Sequence, residues 1–490
     1  MAFRLVLRRG ARLRCEPMRA EAALERIAAV VGPAGVLASA DAGGMLADHL
    51  GHLQGRAALI VRPASVDECA RVIRLCGEAQ IGVVPQGGNT GLCGGATPFD
   101  GPGRREILLS TARLNAVREV DTVGFTMTAE AGVVLAAAQD AARGHDLLLP
   151  LSMGSEGSAQ LGGALSTNAG GIAVLRYGTM RDLVLGLEVV LPNGEVLREL
   201  KGLRKDNTGY DLKALFLGAE GTLGLITAAV IKLFPQPRSR ETAWLAVASV
   251  DAACRVLGRA RRATGDAVVS AEYVGRGALD LVLGHVPGAR DPFPARHAHH
   301  LLIELASADA DGGLRAQLER VLAAGLEAGE VADGVVAESG AQRDALWRLR
   351  ERVPEAERSA GGSVKHDVAV RIAKVPELVA LAERELAAIA PCRPSVFGHV
   401  GDGNLHFNLL APAGQTLAGL GANTVAALTA CVHDVAARLG GTFSAEHGVG
   451  VTKTGELARY ESAEALALMR TLKRALDPHG IMNPGKVLAP

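Results

Sequence analysis

Residues 85–95 read PQGGNTGLCGG and follow directly on the apolar stretch IGVV at residues 81–84. Glycines at such a place let the backbone adopt positive φ angles and approach a ligand closely. Successive N–H groups then form a nest for phosphate oxygens. The spacing is not the G-x-G-x-x-G of a nicotinamide-binding turn, and the loop has no Walker lysine. The stretch therefore predicts phosphate binding of another kind, although a glycine-rich loop alone is also typical of a plain turn.

A second cluster, LSMGSEGSAQLGGALSTNAGG, occupies residues 151–171. It places short polar side chains among glycines, namely Ser152, Ser155, Ser158, Thr167 and Asn168. Such a surface suits a long polar ligand held between backbone segments, and a dinucleotide with a central pyrophosphate fits that description. The two clusters together favour a nucleotide-binding domain.

Length and composition exclude several classes of protein. A chain of 490 residues predicts two or three domains. Basic and acidic residues number 52 each, no basic stripe is visible and aromatics make up 3%, so no nucleic-acid partner is expected. The seven cysteines contain no CxxC pair, which indicates reduced thiols in an intracellular protein. The sequence contains no apolar run of about 18 residues, so no membrane-spanning helix is predicted.

The first fourteen residues, MAFRLVLRRGARLR, carry arginines and no acid. A transit peptide to the mitochondrial matrix is one interpretation. The other is a loose extension ahead of a true start near Met18, and we favour it because the segment is short and lacks serine. A cytoplasmic protein, with peripheral membrane contact left open, is the resulting expectation.

Local patterns predict the domain organisation. Residues 57–63 and 81–85 read as strands flanking a helix capped by Ser65. Residues 106–134 read as strands and 135–144 as a helix, while Pro192-Asn193-Gly194 indicates a hairpin turn. Prolines at 235 and 237 indicate a boundary. We predict an extension and helical lead-in (1–50), a nucleotide-binding domain (51–237), a substrate or cap domain (238–440) and a C-terminal segment (441–490).

The stretch SVFGHVGDGNLHFN, residues 395–408, reads as strand, turn and strand. Asp402-Gly403 is a strong two-residue hairpin signal, which would pair His399 with His406 on one face. Two adjacent imidazoles suit a divalent metal, although two hydrogen-bonded histidines in a half-buried hairpin explain them equally well. Glu446 in SAEHGVG supplies a third ligand and is followed by His447. Two histidines and one glutamate leave coordination positions open, as in catalytic sites.

Arg350 and Lys365 lie in LWRLRERVPEAERSAGGSVKHDVAV, residues 346–370. An arginine fork suits a carboxylate. Spacing alone nevertheless favours a solvated helix face, because acids alternate with arginines here.

Three segments carry a family resemblance: PQGGNTGLCGG (85–95), STNAGGIAVLRYGTMRD (166–182) and KDNTGYDLKALFLGAEGTLGLIT (205–227). They resemble the FAD-binding domain of the vanillyl-alcohol oxidase / p-cresol methylhydroxylase superfamily, and residues 50–490 are most similar to its D-2-hydroxyglutarate, D-lactate and glycolate dehydrogenases. The implied fold is α+β. It has a two-subdomain FAD-binding domain, an α+β substrate or cap domain, and a C-terminal helical segment that returns to the FAD domain.

The resemblance also implies the cofactor contacts. The first loop has no histidine, so FAD is expected to be bound non-covalently. The residues expected along FAD are Pro85, Gln86, Gly87, Gly88, Asn89, Thr90, Gly91, Leu92, Met153, Gly154, Ser155, Ser158, Gly162, Gly163, Thr167, Asn168, Gly171, Gly224, Ile226 and Asn483.

By the same resemblance, His399, His406 and Glu446 are metal ligands, with zinc the expected ion, and His447 is the catalytic base. Arg350 would hold the substrate's C1 carboxylate, and Lys365 and Asn408 its far end. The sequence departs from the family at Ser152, where relatives often show aspartate. It departs again at Pro354, where 2-hydroxyglutarate enzymes have threonine. Proline donates no hydrogen bond, which puts a five-carbon diacid in doubt.

These features predict FAD-dependent, metal-assisted oxidation of a D-2-hydroxy acid, with hydride transfer to flavin N5. The expected electron acceptor is a quinone, a cytochrome or an electron-transfer flavoprotein, and a homodimer is left open. One alternative is the flavoprotein subunit of a glycolate oxidase complex. Another is a zinc hydrolase whose glycine loops bind a nucleotide substrate.

Overall fold

The structure is a computed structural model, and it describes residues 19–265, 267–311 and 313–489. The arginine-containing segment 1–14 and Met18 therefore lie outside the described residues. None of the helices in the described ranges has the length and apolar character needed to cross a bilayer.

The first sheet has four strands in the order β1-β2-β4-β3, with β2, β4 and β3 parallel. Its strands are β1 (Val36–Leu37), β2 (Leu59–Val61), β3 (Gly82–Gln86) and β4 (Glu106–Ser110). Two helices, α1 (Ala20–Val31) and α2 (Val66–Ala79), pack on it through one apolar cluster. Ser65 caps α2, because its side chain accepts a hydrogen bond from the N–H of Glu68. The predicted strand–helix–strand order is confirmed.

The second sheet is antiparallel, in the order β5-β6-β10-β8-β9. Its strands are β5 (Val117–Asp121), β6 (Thr126–Glu130), β8 (Val184–Val190), β9 (Val196–Glu199) and β10 (Leu225–Lys232), and a separate pair joins β7 (Leu147–Leu148) to β11 (Phe234–Pro235). The accompanying helices are α3 (Leu135–Arg143), α4 (Leu161–Ser166), α5 (Val174–Tyr177) and α6 (Met180–Leu183). β8 and β9 form the hairpin predicted around residues 192–194.

The third sheet has seven strands in the order β15-β12-β14-β13-β17-β18-β16. They are β12 (Ser239–Val247), β13 (Val268–Gly275), β14 (His299–Ser307), β15 (Val331–Val336), β16 (Asp367–Ala369), β17 (Arg393–Gly398) and β18 (Asn404–Leu410). Its helices are α7 (Val250–Ala263), α8 (Arg276–His285), α9 (Leu314–Glu327), α10 (Gly340–Glu351), α11 (Val353–Ser359), α12 (Val375–Ala387), α13 (Leu417–Leu420) and α14 (Ala422–Arg438). Short 3₁₀ segments occur elsewhere at Pro33–Gly35, Ser39–Asp41, Gly43–Leu46, Leu212–Leu215 and Ile372–Lys374.

Side chains along the strands of the third sheet point alternately to its two faces. On one face the strands pack against α7, α9, α12 and α14. On the other they pack against α8, α10 and α11. Leu405, Phe407 and Leu409 belong to the first core, so His406 and Asn408 between them point to the second face.

The C-terminal segment contains α15 (Thr454–Tyr460) and α16 (Ala463–Leu476). The residues on either side of these helices contact the third and the first sheet. Before α15, residues 442 and 444 pair with the edge strand β16. After α16, Val83 of β3 donates to Ile481 O and accepts from Asn483 N, at 2.7 and 2.8 Å. The expected α+β architecture with a returning C-terminal segment is confirmed.

Candidate active site

A cleft of about 1020 Å³, its open mouth included, lies between the two glycine clusters. His447 also lines it, which places one residue of the C-terminal segment against the space between the clusters. The cleft therefore joins the two regions that the sequence singled out.

The first glycine loop presents free backbone donors to this cleft. The N–H groups of residues 87–92 donate to no acceptor within the described ranges. Asn89 has a φ of 53°, and its side chain donates to the carbonyls of Gly44 and Ala47, which fixes the turn. Unpaired N–H groups that converge at a turn are the features that hold a pyrophosphate. The loop fits FAD on that ground.

Close packing explains why some positions of the loop must be glycine. A Cβ added at Gly88 would lie 1.9 Å from the carbonyl oxygen of Ser158, which belongs to the second cluster. At Gly91 and Gly163 the same atom would meet nothing within 4 Å. Gly88 therefore serves the contact between the clusters, and the other two glycines face open space.

Twelve predicted cofactor residues line the cleft: Pro85, Gln86, Gly87, Gly88, Asn89, Thr90, Gly91, Met153, Gly162, Gly163, Thr167 and Ile226. The other eight do not line it: Leu92, Gly154, Ser155, Ser158, Asn168, Gly171, Gly224 and Asn483. At least one of these residues instead connects two segments of the chain by hydrogen bonds. Asn483 Nδ2 donates to the carbonyls of Gly95 and Glu220, at 2.8 and 2.7 Å.

The histidine cluster lies at the third sheet, beside the cleft. One ligand atom each from His399, His406 and Glu446 lies within 4.8 Å of the other two. The two predicted histidines have ring centroids 5.6 Å apart, and His399 Nε2 is 3.3 Å from Glu446 Oε1. The structure brings all three predicted ligands together.

The predicted hairpin register is wrong, although the histidines meet. β17 and β18 pair Phe397 with His406, and the turn begins at Gly398, whose φ is 140°. The carbonyl of His399 accepts from the N–H groups of Asp402, Gly403 and Asn404, so the turn is longer than two residues. The error is an even shift of two positions, and an even shift keeps side chains on the same face.

Three buried acids that the sequence analysis did not identify support this cluster. Glu272 on β13 accepts from Arg350 Nε at 2.6 Å and lies 2.7 Å from His399 Nδ1. A histidine whose second nitrogen faces a carboxylate is typical of metal ligands. Burial opposes ionisation of Glu272, but His399 and Arg350 outweigh it and lower its pKa to about 2.

The second acid is Asp367 on β16. Its Oδ2 accepts from the N–H groups of Glu446 and His447, at 2.8 and 2.9 Å, and lies 3.5 Å from His447 Nδ1. Burial opposes ionisation here too, but His447 and His406 hold the pKa of Asp367 well below its usual range. With His406 and His447, Asp367 forms a second group with metal-ligand spacing.

The third acid is Glu357 on α11. It accepts from both predicted far-end residues, namely from Lys365 Nζ at 3.2 Å and from Asn408 Nδ2 at 3.0 Å. Arg350, which spacing alone assigned to solvent, is 7% exposed. Its guanidinium lies 4.8 Å from the ring centroid of Phe397. Pro354 is compatible with the first turn of α11, where an N–H would have no helical partner.

Electrostatics favour a cation beside Glu446 and a neutral imidazole at His447. Burial raises the pKa of Glu446 to about 7 despite His399 nearby. Burial also lowers the pKa of His447, more than Asp367 raises it. A buried carboxylate that resists ionisation is a natural partner for a bound cation. The donor set of two imidazoles and a carboxylate therefore fits a divalent metal.

A half-buried acid, Glu220, connects the cleft with the C-terminal segment. Its two carboxylate oxygens accept from the N–H groups of Val449 and Gly450, each at 2.8 Å. Asp367 and Glu220 thus hold the loop that carries Glu446 and His447 at two neighbouring points, residues 446–447 and residues 449–450. Single acids in a strand or a loop give no sequence pattern, so only the fold identifies them.

Comparison with known proteins gives two family matches. Residues 236–487 match the family of FAD linked oxidases, C-terminal domain, and residues 57–199 match an FAD binding domain. The D-2-hydroxyglutarate dehydrogenase, mitochondrial, of Arabidopsis thaliana is 37% identical over 90% of this chain and 77% of its own length. The D-2-hydroxyglutarate dehydrogenase of Xanthomonas citri pv. viticola is 39% identical over 87% of this chain and 88% of its own.

Among solved structures, p-cresol methylhydroxylase with substrate bound superposes with a TM-score of 0.71 at 17% identity. The match covers 96% of this chain and 97% of that one. It concerns the fold alone, and it agrees with the architecture expected from the three sequence segments.

Proposed function

The chain belongs to the family of FAD-linked oxidases, and on that premise we propose that it oxidises a D-2-hydroxy acid to the 2-oxo acid. The observation that carries the proposal is the meeting of His399, His406 and Glu446 within 4.8 Å, with His447 on the wall of the glycine-lined cleft. The names of the two relatives favour a dehydrogenase over the glycolate oxidase subunit.

The residues of the chain take the following roles in this proposal. The terminal nitrogens of Arg350 bind the C1 carboxylate, since its Nε is already held by Glu272. His447 takes the hydroxyl proton at Nε2, because Nδ1 is the nitrogen nearer to Asp367. When bound, FAD supplies the hydride acceptor, and a cation held by His399, His406 and Glu446 supplies positive charge beside the developing alkoxide.

A visible spectrum and a reduction assay test the proposal. We expect the purified protein to be yellow, and D-2-hydroxy acids to bleach the flavin and reduce an artificial dye. The L-enantiomers serve as the control and should be at least about a hundredfold slower, since the base and the hydride acceptor must flank one carbon. A colourless protein, or equal rates for both enantiomers, would overturn the proposal.

Non-covalent FAD and the metal form a second, separate proposal. Acid precipitation should release FAD into the supernatant, because the first loop contains no histidine to tether it. Dialysis against a chelator should abolish dye reduction and leave the flavin spectrum in place. Metal analysis before dialysis identifies the ion, for which zinc is our proposal. Full activity in the metal-free protein would remove the cation from the proposal.

The acceptor and the location remain proposals as well. We propose a quinone, a cytochrome or an electron-transfer flavoprotein as acceptor, with slow reaction toward oxygen. We propose a cytoplasmic protein, or a matrix protein if residues 1–17 act as a transit peptide. Comparing the rates with a soluble quinone and with oxygen tests the first, and fractionation of cells tests the second.

A further inference from the structure

Lys365 and Asn408 are direct neighbours across two strands. The bridges Asp367↔His406 and Val364↔Leu409 fix the register, which places Lys365 opposite Asn408. Alternation puts this pair on the same face as Asp367 and His406, two residues further along. Two residues of a strand span about 6.8 Å. This spacing is compatible with the roles predicted from the sequence, in which Lys365 and Asn408 receive the tail of a substrate whose C1 end meets the histidine cluster.

Glu357 already occupies the polar groups at this end of the site. It is 0% exposed, and both of its oxygens accept from Asn408 Nδ2 at 3.0 Å. One of them also accepts from Ser363 Oγ at 2.8 Å and lies 3.2 Å from Lys365 Nζ. The amide oxygen of Asn408 is also occupied, since Oδ1 accepts a hydrogen bond from the backbone N–H of His366. Because the two oxygens of one carboxylate lie in nearly the same direction from Nδ2, they share one amide hydrogen of Asn408, and the second amide hydrogen stays available to an uncharged acceptor.

The charge at this end is balanced without substrate. Lys365 and Glu357 form an ion pair that is neutral as a whole. Lys365 is 36% exposed, but a second carboxylate that reached it would also approach the buried carboxylate of Glu357, whose like charge opposes that approach. The C1 end differs, because the terminal nitrogens of Arg350 donate to no described residue. Of the two ends, only the C1 end offers an incoming carboxylate a guanidinium whose two terminal nitrogens can both donate.

Resting on the proposed function above, we propose that the substrate is a D-2-hydroxy acid with a single carboxylate, at C1, and an uncharged tail. Glu357 is the specificity-determining residue. Its charge disfavours a second carboxylate at the far end and does not oppose a tail that is apolar or ends in a hydroxyl or an amide.

Two hydroxy-acid substrates of equal chain length test this proposal. D-2-hydroxypentanoate and D-2-hydroxyglutarate share five carbons and differ only at the far end. We expect kcat/KM to be at least about tenfold higher for the monoacid, because one unfavourable charge contact is worth a factor of this order. Binding of the products gives a second measurement without turnover. 2-Oxopentanoate should perturb the flavin spectrum at lower concentration than 2-oxoglutarate.

A charge-removing variant sharpens the test. Glu357→Gln keeps the shape and leaves Lys365 unpaired, so the ratio of kcat/KM for diacid over monoacid should rise about tenfold. Glu355→Gln is the matched control, since Glu355 lies on the same helix, pairs with Arg352 and is 47% exposed. It should leave the ratio unchanged.

The possible failures are distinct. If D-2-hydroxyglutarate is preferred and Glu357→Gln lowers that preference, the specificity inference falls and the proposed function stands. If neither acid reduces the flavin, the proposed function falls, and the two product affinities still decide which tail the far end accepts. If the variant does not fold, the matched pair of acids on the wild-type protein decides alone.

Discussion

The cleft and the histidine cluster lie side by side but are built differently. The cleft is made mostly of backbone: the N–H groups of residues 87–91 in its wall donate to no acceptor within the described residues, and its glycines let two loops approach. The cluster is made of side chains held by other side chains, as Glu272 holds His399 and Asp367 holds His447. The shape of a site built from backbone depends on how closely two chain segments can approach. The geometry of a site built from side chains depends on the hydrogen-bond partner that orients each side chain.

The difference determines what a single substitution does. In the cleft, a change matters only where the new atoms collide, so neighbouring glycines should respond unequally. In the cluster, a change removes a chemical role and also leaves its buried partner unsatisfied. Four predictions test this contrast, from the largest expected effect to the smallest.

The largest effect is expected at His447, the proposed base. His447→Ala should lower kcat by about 10²- to 10⁴-fold, the usual contribution of general base catalysis, while FAD stays bound. Stopped-flow reduction and the flavin spectrum measure the two quantities. His479→Ala, at an exposed position remote in sequence from the cluster, is the control. A loss of less than tenfold at His447 would remove it from the base role.

The second prediction concerns two glycines of one loop. Gly88→Ala should destabilise the fold by about 1–3 kcal/mol and reduce the FAD content, because the new methyl group collides with the Ser158 carbonyl. Gly91→Ala should fold normally, since nothing lies within 4 Å of its new atom. Urea unfolding and the flavin-to-protein absorbance ratio provide the comparison. Equal losses in the two variants would contradict a cleft limited by collisions.

The third prediction separates positioning from chemistry. Asp367→Asn should lower kcat/KM by about 10- to 100-fold, as loss of an orienting partner typically does. Asp367 raises the pKa of His447, so its removal should lower that pKa further. His447 then stays unprotonated to lower pH, and the acidic limb of the pH profile should shift to lower pH. Asp434→Asn, at an exposed pair with Arg459, is the control. An unshifted limb would indicate a purely structural role.

The fourth prediction extends the contrast to a buried side-chain charge of the C-terminal segment, outside the cleft, which has no carboxylate of the described residues in hydrogen-bond contact. Lys486 is 2% exposed and lies over the Phe99 ring. Burial lowers its pKa to about 8, although Glu106 opposes the shift. Between pH 8 and 10 the unfolded chain binds more protons at Lys486, so folding stability should rise with pH, by at most about 1.4 kcal/mol per unit. Urea unfolding of wild type minus Lys486→Met isolates this slope, and a flat difference would contradict it.

Local features of the sequence were predictable where the signal was itself local. The cap at Ser65 and the hairpin around Asn193 depend on residues within one turn, and both are present. The His399–His406 register was wrong, because the carbonyl of His399 collects three N–H groups and lengthens the turn. The face was still right, because the error was an even number of residues.

The supporting acids could not be predicted from the sequence, for a physical reason. Glu272 is 127 residues from His399, and Asp367 is 80 from His447. A lone acid in a strand reads as a solvent-facing residue until the fold shows that its face is covered. Glu357 reads as one more charge on an arginine-rich helix, yet it decides the electrostatics of the far end of the site.

The two ends of the C-terminal segment, at residues 442–447 and 481–483, join the third sheet and the first. Residues 441–490 therefore bring the proposed carboxylate ligand and the proposed base, and they also connect the first and third sheets. During synthesis on the ribosome, both glycine loops emerge long before these groups do. Because the C-terminal segment supplies His447 to the wall of the cleft and pairs with β3 ahead of the first glycine loop, the cofactor pocket and the proposed chemical groups are completed together, only after residues 442–483 have been synthesised.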